Sequence, residues 1–156
     1  MSLSRTFRWA HEGDYETLAD VMFDAVRNGK SRYDERQRAA WVPVARRGQE
    51  WMDRLRDQDI VVAEASGSVL GFMSLAMGGY IDFAYIRPEA QHTGLFRQLL
   101  DRIIERASLK GEKLLWVHAS LMAEPAFTKF GFAVIKREQV AIGGEQFERF
   151  EMRRLL

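Results

Sequence analysis

The chain has no cysteine, only three prolines, and no apolar run approaching the roughly 20 residues that cross a bilayer. Without cysteine there are no disulfides, no thiolate metal sites and no thiol nucleophile, which suits a reducing compartment. The N-terminus also lacks a basic segment followed by an apolar signal core. A soluble, cytoplasmic protein with no membrane partner is therefore expected. Neither sign of charge dominates: 23 Lys and Arg stand against 22 Asp and Glu, a formal net charge of +1. The stretch "RRGQEWMDRLRDQD" interleaves acids with bases where a nucleic-acid binder would show a basic stripe. No nucleic-acid partner is expected, and any bound anion must be held locally. His11, His92 and His118 are too scattered to suggest a zinc cluster, so no metal is expected.

What is present has the size and balance of one globular domain, 1–156, with 47% hydrophobic and 29% charged residues. Residues 5–9 read as a short strand, and Gly13-Asp14 as the N-cap of a helix running to about Val26. In that helix Leu18, Val21, Met22, Ala25 and Val26 recur at helical spacing, and Asn28-Gly29 stops it. From Ser31 to Arg56 the pattern is helical but interrupted by Pro43 and Gly48, and predicts two short helices. "DIVVAEA" and "SVLGFMSLAM", split by Ser66-Gly67, predict a hairpin, and a third strand runs Tyr80 to Arg87. A helix from Leu95 to about Lys110 follows, then the strand "KLLWVHA", a short helix closed near Gly131, and a terminal hairpin about Gly143-Gly144. Such an order predicts an α+β fold, a mixed sheet with helices packed on it.

The segment "YIRPEAQHTGLFRQLLDRIIERA" begins as a strand, breaks at Pro88 and enters an amphipathic helix at Gly94. Phe96, Leu99, Leu100, Ile103, Ile104 and Ala107 form its apolar stripe, while Arg97, Asp101 and Glu105 face water. Main-chain N–H groups near residues 93–97 have no intrahelical acceptor, and with the helix dipole they make an anion site that His92 and Arg97 can supplement. A glycine in a strand-to-helix turn is also a common connection, and this loop alone decides nothing.

Further residues make the pattern specific. "PEAQHTGLF" resembles the Gln/Arg-x-x-Gly-x-Gly/Ala signature of the GNAT superfamily, the Gcn5-related N-acetyltransferases, with Gln91 and Gly94 in register. "ASLMAEPAFTKFGF" resembles the segment after that family's fifth strand, with Ser120 at the usual Asn position and Gly131-Phe132 at its Gly-Phe. "YDERQRAAW" and "GYIDFAYIRPEAQ" are similar to a bacterial branch whose acceptors are mostly unassigned.

The resemblance implies a three-layer fold with a mostly antiparallel sheet, splayed between strands 4 and 5 and covered by helices on both faces. It implies acetyl-CoA as cosubstrate. The loop of Gln91, His92, Thr93, Gly94, Leu95 and Phe96, with Arg97 at its rim, would hold the pyrophosphate. The strand at Ala84, Tyr85 and Ile86 would pair with the pantetheine arm, and Ser120 and Phe127 would line the cofactor cleft. Tyr33, Trp41 and Trp51 fall in the region that covers the acceptor pocket, where they recognise an amine by cation-π contact or simply pack. The acceptor would be a small-molecule or peptide amine. Homodimers are frequent in the family, and the terminal hairpin offers an edge for pairing.

Two positions depart from the signature. Phe96 replaces the last Gly or Ala, and its place on the apolar stripe predicts a ring turned into the core. Phe127 stands where many relatives carry a tyrosine acid, and phenylalanine has no proton to give. A thiol with pKa near 8.5 leaves as thiolate at pH 7 for about 2 kcal/mol, whereas deprotonating an amine of pKa near 10.4 costs about 4.6 kcal/mol. A base therefore matters more than an acid. Asp82, on the strand the family uses for its carboxylate, is the first candidate, as base or as a group that orients water or acceptor; its other readings are a solvated strand residue or the partner of a nearby arginine. His118 is the second, with a better-matched pKa, or else a hydrogen-bonded strand residue. Tyr85 and Ser120 are further donors. The leading expectation is direct attack of an amine on the bound thioester, with the oxyanion held by main-chain N–H of the fourth strand. The alternative is a non-catalytic acyl-CoA-binding sensor or assembly module of the same fold.

Overall fold

The structure, a computed structural model, describes residues 4–156; Met1–Leu3 lie outside the described residues. The elements are β1 (Thr6–Trp9), α1 (Tyr15–Asn28), α2 (Glu35–Trp41), α3 (Gln49–Arg56), β2 (Asp59–Ala65), β3 (Ser68–Ala76), β4 (Tyr80–Ile86), α4 (Leu95–Leu109), β5 (Leu114–Ser120), α5 (Glu124–Lys129), β6 (Ala133–Ile142) and β7 (Glu145–Leu155). Together the strands form one sheet in the order β1-β2-β3-β4-β5-β7-β6. All neighbours are antiparallel except β4 and β5.

Each face of the sheet carries its own apolar layer, as helices with a single apolar stripe require. The stripe of α4, Leu95, Leu99, Leu100, Ile103 and Ala107, packs with Val61, Met73, Leu75, Ile81, Leu115 and Val117 on one face. On the other, Leu18, Met22 and Val26 of α1 join Trp51 and Leu55 of α3 against Val62, Phe72 and Phe83. Period-2 alternation along the strands, interrupted in β4 between Ile81 and Ala84, assigns their residues to one layer or the other.

One cap differs from the reading of the sequence. Asp14 does not cap α1: its carboxylate accepts the His11 N–H (2.8 Å) and pairs with Arg8 (2.7 Å). The carboxylate is turned to the Arg8 guanidinium and the His11 N–H, so it does not reach the N–H groups of the first turn of α1. His11 instead caps a 3-10 turn over Glu12–Asp14 that leads into the helix. Gly29 ends α1 in an extended conformation (φ −76°, ψ 164°).

Candidate active site

The parallel pairing of β4 with β5 is limited to Tyr80 with Trp116 and Ile81 with Val117. Past that point β4 continues to Ile86 and β5 to Ser120 with no ladder between them, so the central strands part into a wedge. Part of the cause is a bulge. Two residues of β4, Asp82 and Phe83, stand opposite the single Ser74 of β3, whose hydroxyl accepts the Phe83 N–H at 2.9 Å. Both side chains leave on the same side: Asp82 meets α3 and Phe83 packs on Trp51. A bulge bends its strand and sharpens the local twist, which carries residues 82–86 away from β5. This segment of β4 presents a free edge, the arrangement to which an extended ligand adds as another strand. Ala84 and Ile86 pack toward the α4 layer, while Tyr85 lies among Trp41, Phe72 and Phe83, where burial pushes its phenol well above the ordinary range.

Beyond β4 the chain makes a 3-10 turn at Pro88–Ala90 and a loop that enters α4. Gln91 turns back, donating to the Ile86 carbonyl (3.1 Å). His92 and Gly94 both adopt left-handed conformations, with φ of 61° and 85°. Among the described residues, no main-chain N–H from His92 through Arg97 donates to another part of the chain, and Gly94 carries no side-chain cap. A Cβ on Gly94 would meet nothing within 4 Å, so that side of the loop is open. Six free N–H groups at the positive end of a four-turn helix form an anion cradle. The Leu95 side chain is buried beneath it, and Arg97 extends from its rim. The Phe96 ring turns inward, edge-on to Phe127 (4.9 Å) and stacked on Phe130 (5.9 Å).

Arg5, just before β1, supports this loop and was not singled out in the sequence. Its guanidinium donates to the Thr93 carbonyl (3.3 Å), the Thr93 hydroxyl and Gln98 Oε1 (2.8 Å). Separations of 88 and 93 residues leave no local signal for these contacts.

On the face opposite α4, the two candidate bases have different surroundings. Both oxygens of Asp82 are occupied, by Arg54 Nε (3.0 Å) and Nη2 (2.7 Å) and by Gln58 Nε2 (2.7 Å). The structure thus gives Asp82 an arginine partner, one of the readings its sequence left open. Each Asp82 oxygen already accepts at least one hydrogen bond. His118 is 23% exposed, its Nδ1 is 2.9 Å from the Tyr80 hydroxyl, and its Nε2 lies 3.9 Å from both Glu138 and Glu151. Burial first, and then the Arg149 guanidinium, hold its imidazole below the ordinary value against the opposing pull of the two carboxylates. A histidine with a lowered pKa is neutral near pH 7 and free to take a proton. Tyr80, Glu138, Arg149 and Glu151 come from three strands, so the constellation cannot be read off any one segment.

The remaining predicted residues separate in the same way. Trp51 is 4% exposed and its indole N–H donates to the Tyr15 carbonyl (2.8 Å), so it belongs to the core and offers no face to an acceptor. Tyr33 is buried too: its hydroxyl accepts the Leu121 N–H (3.1 Å) and donates to the Glu148 carbonyl (2.6 Å), pinning the loop before α2 to the ends of β5 and β7. Trp41 remains half-exposed, edge-on to Tyr33 and Phe147 and tilted against Tyr85. Phe127 is 1% exposed and wedged between Phe96 and Phe132, a core ring with no contact surface for a ligand. Ser120 accepts the Ala123 N–H (3.1 Å) and closes the turn after β5. Among the described residues no group of three His, Cys, Asp or Glu is placed to hold a metal ion.

The family description "Acetyltransferase (GNAT) domain" matches residues 30–153. The chain belongs to the GNAT acetyltransferase family. This GNAT domain is 31% identical over 142 residues to the uncharacterized N-acetyltransferase YafP of Escherichia coli K12, spanning 90% of this chain and 89% of YafP. It superimposes on a GCN5-related N-acetyltransferase from Rhodopseudomonas palustris with a TM-score of 0.89 and 27% identity, over 100% of this chain and 99% of that one. It shares the fold of the PaiA N-acetyltransferase of Thermoplasma acidophilum, solved with coenzyme A, at a TM-score of 0.74 and 19% identity over 99% and 100% of the two chains. It likewise shares the fold of yncA of Salmonella typhimurium, solved with its cofactor acetyl-CoA, at 0.69 and 22% over 98% and 94%.

Proposed function

We propose that this protein is an acetyl-CoA-dependent N-acetyltransferase that acts on the primary amine of a small molecule or peptide. The observation that carries this reading is the pairing of a free β4 edge with an unpaired row of N–H groups at residues 92–97. The residues suit the group: Gly94 leaves room for a phosphate against the main chain, and the edge offers alternating donors and acceptors to an amide-bearing arm. When bound, acetyl-CoA supplies an acetyl group activated as a thioester. The loop from Gln91 to Arg97 neutralises the phosphates, with Thr93 held in place by Arg5. Ala84, Tyr85 and Ile86 align the arm along β4, with Ser120 on the facing strand. His118 accepts the amine proton, and Trp41 walls the acceptor side. Phe127 supplies no acid, so the thiolate leaves unassisted, at the cost of about 2 kcal/mol expected for an unperturbed thiol. By inference from the family, the protein acts in the cytoplasm, and the outer edge of β6 is available for pairing in a homodimer. Among the described residues no helix is long and apolar enough to cross a membrane.

One observation favours a second reading. Phe127 is buried and Asp82 is neutralised, so neither residue inherits a catalytic role, as expected of a sensor that binds acyl-CoA without turning it over. Calorimetry with acetyl-CoA, followed by thiol release across a panel of amines, separates the two. Binding with release on one amine establishes the transferase, and binding with no release on any amine establishes the sensor. No heat at millimolar acetyl-CoA removes both.

A further inference from the structure

We propose that the acceptor's proton reaches His118 through the Tyr80 hydroxyl, with Glu138 and Glu151 acting as positioning residues that hold the imidazole ready to receive it on Nδ1. The inference rests on the acetyl-transfer reading above. Tyr80 and Trp116 form the first rung of the β4–β5 ladder, and His118 lies just past its last rung, where the strands part. Trp116 holds both partners: its ring lies 4.4 Å from that of Tyr80 and 5.4 Å from that of His118. The Tyr80 oxygen sits 2.9 Å from His118 Nδ1, within range of a proton transfer.

The opposite ring nitrogen fixes the tautomer. Nε2 faces Glu138 on β6 and Glu151 on β7, each 3.9 Å away, and two carboxylates favour a hydrogen on that nitrogen. Nδ1 then carries the lone pair, and the Tyr80 hydroxyl donates to it. The other charged groups on this face are Arg149, which bonds Glu138 (2.7 Å), Lys136 beside Glu138 (3.5 Å), Arg153 beside Glu151 (3.4 Å), and the Arg54–Asp82 pair two residues along β4 from Tyr80. Each nearby carboxylate therefore already has a cation, so the imidazolium formed in the reaction is an added positive charge, which drives it to give its proton on to water.

The atoms balance as follows. The amine reacts as the neutral base, its ammonium proton already given to solvent; its nitrogen bonds to the carbonyl carbon and loses a second proton to the Tyr80 oxygen, while the Tyr80 hydroxyl proton crosses to His118 Nδ1. The phenol ends neutral and the imidazole ends as imidazolium. The carbon–sulfur bond breaks with its electron pair on sulfur. The imidazolium then gives its proton to water and the site is restored.

Nitrogen-15 NMR of histidine-labelled protein, recorded above the imidazole titration and assigned with His118→Gln, reads the tautomer directly and needs no acceptor. The expected result is a hydrogen on Nε2 and a bare, hydrogen-bonded Nδ1, with the Nδ1 shift altered in Tyr80→Phe. A hydrogen on Nδ1 overturns the proposal. With the amine that the panel identifies, Tyr80→Phe is expected to lower kcat about 100-fold, leaving KM for acetyl-CoA and the calorimetric heat unchanged. Unchanged kcat in Tyr80→Phe also overturns it. If the wild-type protein gives no heat with acetyl-CoA, the acetyl-transfer reading itself falls, a result distinct from either of the others.

Discussion

Arg54 of α3 grips Asp82 of β4 with two hydrogen bonds, Nε to Oδ2 at 3.0 Å and Nη2 to Oδ1 at 2.7 Å, while its guanidinium lies 4.5 Å from the centre of the Phe83 ring. The pair ties a helix to the bulged segment of the strand at the point where the sheet opens. With both oxygens engaged, Asp82 is expected to act through this tie and not as the base. Asp82→Asn is expected to keep the acidic limb of the rate profile where it is in the wild type and to cost about 1 kcal/mol, since Arg54 is half-exposed. Thermal unfolding would show this as a drop of roughly 2–4 °C. Loss of that limb in the variant would restore Asp82 as the base.

Gly94 enters α4 at φ 85° with open space where a side chain would stand. Gly94→Ala strains the backbone by about 1 to 2 kcal/mol without clashing in the free protein. The added methyl group occupies the surface a phosphate must approach, so calorimetry with acetyl-CoA is expected to show a loss of affinity of at least about tenfold, or about 1.4 kcal/mol. Equal affinity would place the phosphates elsewhere.

Phe127 lies between Phe96 and Phe132 with 1% of its surface exposed. Phe127→Tyr installs the hydroxyl that many relatives carry, but in an apolar site. The expected outcome is a loss of about 1 to 3 kcal/mol in denaturant unfolding and no gain in kcat, because a buried hydroxyl needs a partner. A more active variant would show that the ring can swing into the cleft.

His118 links pH to both stability and rate. Its folded-state value lies below the ordinary 6.5, chiefly through burial. Between that folded value and 6.5 the unfolded chain binds more protons, so stability falls as pH drops through this window. His118→Gln is expected to flatten that slope and to abolish an acidic limb of kcat/KM centred below 6.5. Parallel unfolding curves and rate profiles over this range check both.

The parts legible in the sequence were local. The stripe of α4 from Leu95 to Ala107 and the stop at Gly111 follow a helical period, and the cradle follows from one glycine after Gln91 with no side chain to cap the helix. The Phe96 ring turned inward because its position on the stripe required it. What failed or stayed open involved distant partners. Asp14 read as a cap until Arg8 claimed it, and Asp82 was either base or ion pair until Arg54, 28 residues earlier, closed on it. Tyr33 and Trp51 carried the same two readings, recognition or packing. A hydrogen bond to Glu148, 115 positions away, and another to Tyr15, 36 away, put both in the interior.

The sequence alone determined where helices and strands lie, the glycine entry to α4 with its uncapped N–H groups, and the want of a hydroxyl at Phe127, because each depends on the identity and spacing of neighbouring residues. The tertiary structure decided what surrounds each of the two candidate bases. A side chain's protonation is set by its burial and by the charges around it, and the sheet order places β5 beside β4 and β7, bringing Tyr80 and Glu151 to His118 from opposite ends of the chain's second half.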